Sequence, residues 1–421
     1  MSENLSSDLS GLERQFLQEI ERDLDEPTRQ GVQACALPVR LEPELACRIL
    51  QSPLVGGNGN TQALLGRIRR LPFTFRFPDG TFRFSPPARL YFKEQWQNGR
   101  RRDYEALNRL IADYFKEKQE LLPPEKENGD GLRASTYFLA EAYHRLAAEP
   151  QQALEDLGYF VARSRRPSAR GEAWAARNIC DDRRDFIDQD SLEGLVIPAK
   201  YHYLSGDFAA ARPLLEKICS RFPDEDPEHL PVGDKQQFIY ALASHLLGAM
   251  LVRRGKAAAA LDLLQRSLAV GRALKAWVHV AMTLNTLGNA YLQRRGKGDF
   301  QQAIAHLQES ASLARQVDDK PQLAMTLNTL SKAYLWNDQP EKALPCLDEG
   351  LAALGDLEAH RTRAAAYNLM GQAYERLGDD RAIEAYENAA KFDRLAGKPG
   401  SAGNMQRRAD RLRLRKAPKG N

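Results

Sequence analysis

Three asparagines recur at one position of a long periodic stretch, Asn285, Asn328 and Asn368. Four residues after each comes Asn289, Lys332 or Gln372. An amide offers both a donor and an acceptor, so a ladder of amides can hold the backbone of an extended peptide without reading its side chains. The other use of the same amides is to bond along the ladder, to neighbouring helices or to water. Asn is a mediocre helix former, so its recurrence inside helices calls for a reason. Trp277 and Trp336 flank these positions, either as interface anchors or as core residues. A second group, Arg67, Arg69, Arg70 and Arg83 with Arg76 beside them, supplies the clustered cations that phosphate contacts need. The alternative is that these arginines solvate a face packed near other domains.

Catalytic chemistry finds no comparable support. The seven histidines show no H-E-x-x-H or paired-ligand spacing, so packing or surface roles are expected and no metal is. No G-x-S-x-G is present, nor a Cys–His arrangement with local support. Asp181-Asp182 and Asp318-Asp319 read as solvated charge. Gly56–Asn60 has no Lys and no Ser or Thr in register, and G-x-x-x-x-G-K-[ST] occurs nowhere, so this run reads as an inter-helix loop rather than a phosphate cradle. The expectation is a protein that is not an enzyme and needs no cofactor.

The bulk numbers agree with a binding role. With 421 residues, 43% of them hydrophobic, the chain has material for two or three cores. Its net charge of +4 is unevenly spread. Residues 405–421 hold seven Lys and Arg against Asp410, so the remainder is near neutral and carries no global nucleic-acid footprint. Five scattered cysteines without a CxxC pair look like reduced thiols. The N-terminus lacks the basic and apolar segments of a signal peptide, and nothing approaches 18 consecutive apolar residues. A cytoplasmic location, without a membrane span, is expected.

The elements that must position the amides are internal repeats. Leu247-Gly248 is followed by Leu251, Ala260, Leu264 and Ser267, and Leu287-Gly288 by Tyr291, Ala303, Leu307 and Ser310. Leu330-Ser331 leads to Tyr334, Ala343, Leu347 and Gly350, and Met370-Gly371 to Tyr374, Ala382, Tyr386 and Ala389. Turn residues fall between the halves at Arg254-Gly255, Gly298-Asp299, Asn337-Asp338 and Gly378-Asp379. Looser units span Tyr137–Arg166 and Ile197–Pro223, and 168–190 predicts a helix that matches the pattern poorly.

This pattern of L-G-x-x-Y, then A-x-x-x-F, then a small residue resembles the tetratricopeptide repeat. Its period of about 40 resembles the long-helix versions in kinesin-light-chain-like and bacterial regulatory repeats. The resemblance implies a mainly α fold, a right-handed α-solenoid of helix pairs over 131–395, with 396–421 as a basic tail. That tail could touch nucleic acid, an acidic partner or a membrane surface, or could simply cap the solenoid. It also implies that Asn285, Asn289, Asn328, Lys332, Asn368 and Gln372 line a concave partner-binding groove.

Residues 1–122 do not repeat. A helix is predicted over Asp8–Leu24 with Ser10 as cap, and further helices near 28–37, 43–51 and 61–71. Phe73, Phe75 and Phe77, then Asp79-Gly80, then Phe82 and Phe84 predict a β-hairpin, and Pro86-Pro87 opens another helix. The string from Leu64 to Phe92 is similar to the winged-helix segment of STAND-type signalling ATPases, here without the nucleotide-binding domain. The implied organisation is an N-terminal helix at 1–27 and a small winged-helix-like α+β domain at 28–122. In DNA-binding winged helices the third helix enters the groove, which is where Arg67, Arg69 and Arg70 fall.

The function expected is a non-enzymatic scaffold or adaptor that binds a peptide or helix of a partner protein, as a regulatory subunit of a bacterial signalling or defence complex. The alternative is a winged-helix DNA-binding transcription regulator with a tetratricopeptide sensor.

Overall fold

The computed structural model describes residues 9–55, 60–122, 130–165, 169–222, 225–227 and 229–416. The loop at 56–60, apart from Asn60, and the last five residues of the tail lie outside them. The chain forms two compact units, 1–201 and 202–421.

The first unit begins with α1 (Gly11–Asp23), where Ser10 and Glu13 close a capping box. Asp25 caps α2 (Glu26–Cys35). Next come α3 (Pro43–Gln51) and α4 (Thr61–Ile68), the latter capped by Asn60. The helix predicted to reach 71 stops at Ile68, as the restriction that Pro72 places on Leu71 favours.

The hairpin follows as β1 (Thr74–Arg76) and β2 (Phe82–Phe84), antiparallel with Thr74 opposite Phe84. Gly80 supplies the left-handed residue of its turn at φ +83°. The aromatic residues of the hairpin do not share one environment. Phe73, Phe82 and Phe84 are buried and Phe75 is 53% exposed, because the paired strand is only three residues long and begins after Phe73. Leu41, between α2 and α3, exchanges both backbone hydrogen bonds with Phe82.

Helices α5 (Pro86–Gly99), α6 (Arg101–Glu120), α7 (Asp130–Ala148), α8 (Pro150–Arg163), α9 (Ala169–Asp182) and α10 (Leu192–Ser205) complete this unit, whose boundary falls inside α10. The compact break lies at 201/202. A buried polar cluster is one reason. Arg183, 1% exposed, donates to the Tyr143 carbonyl at 3.1 Å, to Asn108 Oδ1 at 3.3 Å and to the Tyr104 hydroxyl. Arg89 donates to the Tyr143 hydroxyl at 2.7 Å, and Lys93 Nζ to Asp182 at 2.9 Å. Burial would raise the Asp182 carboxyl, but Lys93, the Tyr143 hydroxyl and Arg89 hold it down to about 2. These contacts fasten the segment after α9 to α5, α6 and α7.

The second unit starts with α11 (Phe208–Cys219) and α12 (Asp234–Arg253). Then come α13 (Ala257–Ala273), α14 (Trp277–Arg294), α15 (Asp299–Gln316) and α16 (Lys320–Trp336). It ends with α17 (Pro340–Leu354), α18 (His360–Leu377), α19 (Arg381–Leu395) and α20 (Pro399–Lys416). Each predicted repeat is one pair, α12/α13, α14/α15, α16/α17 and α18/α19. A Cβ on Gly288 would lie 2.5 Å from Leu307, and one on Gly371 2.7 Å from the Tyr386 ring, so the paired helices approach at a distance that excludes larger residues. Ser331 replaces glycine in the third pair and donates to the Leu327 and Ala343 carbonyls. Leu264, Leu307, Leu347 and Tyr386 are fully buried, each contributing about 1.5–3 kcal/mol.

The stretch read as a basic tail is helical up to Lys416. Helix α20 packs on α19 through Ala402, Met405 and Ala409, with its arginines outward. A polar outer face is what the end of a repeat stack requires.

Candidate functional site

Helices α12, α14, α16 and α18 pack side by side in one layer, while their partners α13, α15 and α17 make no comparable mutual contact. A layer that is closer-spaced on one side curves toward that side, so the α12–α18 layer is the inner face.

What that face exposes follows from helical spacing. Along α16, between Gln322 and Leu335, only Met325, Thr329 and Lys332 reach solvent, with Pro321 and Trp336 extending the stripe at its ends. Successive members lie three or four residues apart, so they form one face. Helix α14 repeats the arrangement with Val278, Met282, Asn285/Thr286, Asn289 and Gln293. Helix α18 does so with Arg361, Ala365, Asn368/Leu369, Gln372 and Arg376. The side chains on the opposite sides of these helices are held by the core and by the α13, α15 and α17 layer.

The structure brings five of the six amide-ladder positions onto these stripes. Asn289 Nδ2 reaches the Asn285 carbonyl at 3.4 Å, and Gln372 Nε2 reaches Asn368 Oδ1 at 3.2 Å. Asn328 sits one residue off its stripe and is buried. Its amide donates to the Thr362 carbonyl of α18 at 3.0 Å, so it ties neighbouring inner helices together instead of lying on the accessible stripe. The buried Oδ1 atoms of Asn285 and Asn328 have no hydrogen-bond partner among the described residues.

One feature of the face escaped the sequence. Trp336 is flanked by two cations, Lys332 Nζ at 4.4 Å and the Arg295 guanidinium at 4.6 Å from the ring centroid. Burial, and then Arg295, pulls the Lys332 amine below its usual range. Arg295 follows α14 in a left-handed conformation at φ +54° and shares no motif with Trp336. Only the stacking of consecutive repeats makes them neighbours. Trp277 is exposed at the start of α14.

Away from the stripes, the polar residues are used internally. His279 Nε2 meets Ser267 Oγ at 2.9 Å and His245 Nδ1 meets Thr283 Oγ1 at 3.1 Å. His144 is buried beside Asn108, and burial, with Arg183 behind it, lowers its pKa well below the ordinary histidine value. No group of three His, Cys, Asp or Glu with metal-binding geometry exists among the described residues. No helix among them is long and apolar enough to cross a membrane.

The arginines of the first unit are divided. Arg67 donates to Thr28 Oγ1 at 3.1 Å and faces Asp25 at 3.6 Å. Arg69 bonds the Gly80 carbonyl in the hairpin turn at 3.3 Å and lies over Phe82. Arg83 lies over Phe75 and Phe77, and Arg70 is exposed. Two of the four therefore hold α4 to α2 and to the hairpin.

Residues 293–356 match the family model described as tetratricopeptide repeat, so that segment carries tetratricopeptide repeats. No curated protein sequence matches it significantly. Among solved structures, the nearly identical TPR-like repeats of a Podosopora anserina kinesin light chain are 20% identical over 50% of this chain and 98% of that one, with a TM-score of 0.38. A Rap protein complexed with competence and sporulation factor is 14% identical over 75% and 97%, with a TM-score of 0.42. The STAND protein PH0952 of Pyrococcus horikoshii is 13% identical over 96% and 66%, with a TM-score of 0.41.

Proposed function

We propose that this protein is a non-enzymatic scaffold that holds a peptide or helix of a partner protein against the inner face of α14, α16 and α18. The observation that carries the reading is the matching stripe of accessible side chains that runs along each of these helices. Those stripes are lined by methionines and amides beside two buried acceptors without partners. Flexible methionines adapt to apolar side chains, and amides serve a peptide backbone. In this reading the helices and hairpin of residues 28–122 form a winged-helix-like module, supported by their order and by the Leu41–Phe82 pairing. The module packs on a neighbouring element or on the partner, and the whole serves as a cytoplasmic regulatory subunit of a signalling or defence complex. The DNA-binding regulator has less to stand on, since Arg67 and Arg69 are engaged inside the unit.

The test is a photo-crosslinking amino acid placed in living cells at Met325 or Asn289, with Gln301 on α15 as the outer-surface control. A protein crosslinked from both inner positions and not from Gln301 supports the reading. The same products from all three positions, or none from the inner face, would overturn it.

A further inference from the structure

Along α14 and α16 the inner face has a chemical polarity that the amide ladder alone does not express. At the N-terminal ends of α14 and α16 the stripes carry Val278, Met282, Pro321 and Met325, with Met325 40% exposed. Toward the C-terminal ends they carry Lys332, Trp336 and Arg376, and Arg295 closes over the indole. No Asp or Glu occurs on any of the three stripes. Among the described residues Arg295, Lys332, Arg361 and Arg376 form no ion pair, whereas Arg272 and Arg315 on the outer helices do. Arg272 pairs with Glu309 at 2.5 Å and Arg315 with Glu349 at 2.7 Å, each pair bridging one outer helix to the next.

This difference is informative because the solvent is the same on both faces. Arg272 and Arg315 are neutralised by carboxylates of the next repeat, and the four cations of the inner face are left without one. Lys332 is half-buried and faces Arg295 across Trp336, so two like charges are held together where a carboxylate would relieve them. Such an arrangement costs free energy in the unbound protein and returns it when an anion enters.

We propose that the occupant of the inner face is an acidic polypeptide segment that also carries apolar side chains. Its carboxylates meet Lys332, Arg295 and Arg376, and an apolar side chain packs on Met282 and Met325. This rests on the peptide-binding reading above and adds the class of partner to it. A polypeptide is favoured over a nucleic acid because the cationic end adjoins an exposed methionine row, and methionines match apolar side chains better than phosphates.

The test is to pan a phage-displayed random-peptide library on the full-length protein and to sequence the bound pool. Peptides from that pool are then titrated by fluorescence anisotropy. The comparison is with Lys332→Glu/Arg376→Glu and with Lys256→Glu/Lys297→Glu, which changes net charge equally at exposed positions off the stripes. The proposal expects a pool rich in Asp and Glu with interspersed Leu, Ile or Phe. Affinity should fall about tenfold or more in the stripe variant, as loss of charge-assisted contacts entails, and should stay within about twofold in the control. Circular dichroism confirms that both variants fold. A pool with no acidic excess that still loses binding on Met325→Glu would overturn the acidic class and keep the peptide reading. Selection that no stripe substitution affects would overturn both. Displacement of the peptides by a labelled oligothymidylate that binds more tightly, and through the same stripe, would make a nucleic acid the occupant and overturn the proposal.

Discussion

Both units bury polar side chains, but they bury different kinds. The first unit gathers Arg89, Lys93 and Arg183 around Tyr143, with Asp182 as the carboxylate among them. Although burial works against it, Arg89, Arg183 and Lys93 hold the Tyr143 hydroxyl below the usual tyrosine range. The second unit buries hydroxyls at one repeated place. Ser267 Oγ donates to the Ala241 carbonyl at 2.8 Å and Ser310 Oγ to the Ala281 carbonyl at 2.7 Å. A charged cluster assembled once, from distant segments, fixes a unique arrangement and is costly to break. A neutral bond repeated along a stack can be exchanged for an apolar contact, as Gly350 and Ala389 show at the same position of the next two repeats. The first unit is thus brittle where the second is tolerant.

The strongest way to break that comparison is Arg183→Met. The substitution keeps an apolar stem but removes the donors to Tyr104, Asn108 and the Tyr143 carbonyl, and it removes the guanidinium 3.9 Å from the Tyr143 ring. Buried hydrogen bonds to charged groups are worth about 1.5–3 kcal/mol each. Allowing for the relief of repulsion with Lys93 and Arg89, a net loss of about 3 kcal/mol is expected. Urea unfolding followed by hydrogen exchange should place that loss in residues before 201 and leave α13–α19 protected as before. An equal loss in both units would abolish the distinction.

A smaller effect comes from Asp182. Its folded pKa of about 2 lies below the ordinary 3.8, so its contribution is present above pH 3.8 and disappears as pH falls from there to about 2. The carboxylate is half-exposed, which tempers the size of the effect. Asp182→Asn should lower stability at neutral pH, and the wild-type and variant curves should approach each other in acid. Parallel curves down to pH 2 would show that the cations around Tyr143 do not need this carboxylate.

The same contrast explains what the residues disclosed on their own. Gly288, Tyr291, Ala303 and Leu307 could be read because their environment recurs in each repeat, so four imperfect copies reinforce one pattern. The Ser10 cap was legible because its partner, Glu13, is three residues away. Arg183 gives no local sign, since Tyr104 and Asn108 lie 79 and 75 residues before it. The amide ladder was legible in register but not in direction. A helix turns 100° per residue, so Asn328 falls beside Thr362 while its neighbour Thr329 takes the accessible place. Arg295 and Trp336 could not be paired without knowing how one repeat stacks on the next.

Ser310→Ala sharpens the comparison from the tolerant side. The hydroxyl lies between the Ala281 carbonyl and Thr326 Oγ1, at 2.7 and 2.9 Å. Removing it deletes two bonds, the one donated to Ala281 and the one accepted from the Thr326 hydroxyl, each worth about 1 kcal/mol at most. Neither partner is stranded. Ala281 lies within the continuous α14, where a carbonyl also accepts a hydrogen bond from the following turn, and the Thr326 hydroxyl, which still accepts from Gln322 Nε2 at 3.1 Å, can turn its proton to the carbonyl one helical turn before it. Alanine also fits the space, because Ala389 fills the corresponding place in the fourth repeat with no exposure. The expected loss is therefore about 1–2 kcal/mol, read as a small shift of the urea midpoint with an unchanged slope. A loss approaching that of Arg183→Met would mean that the hydroxyl seam fixes the stacking of the repeats as firmly as buried charge fixes the first unit.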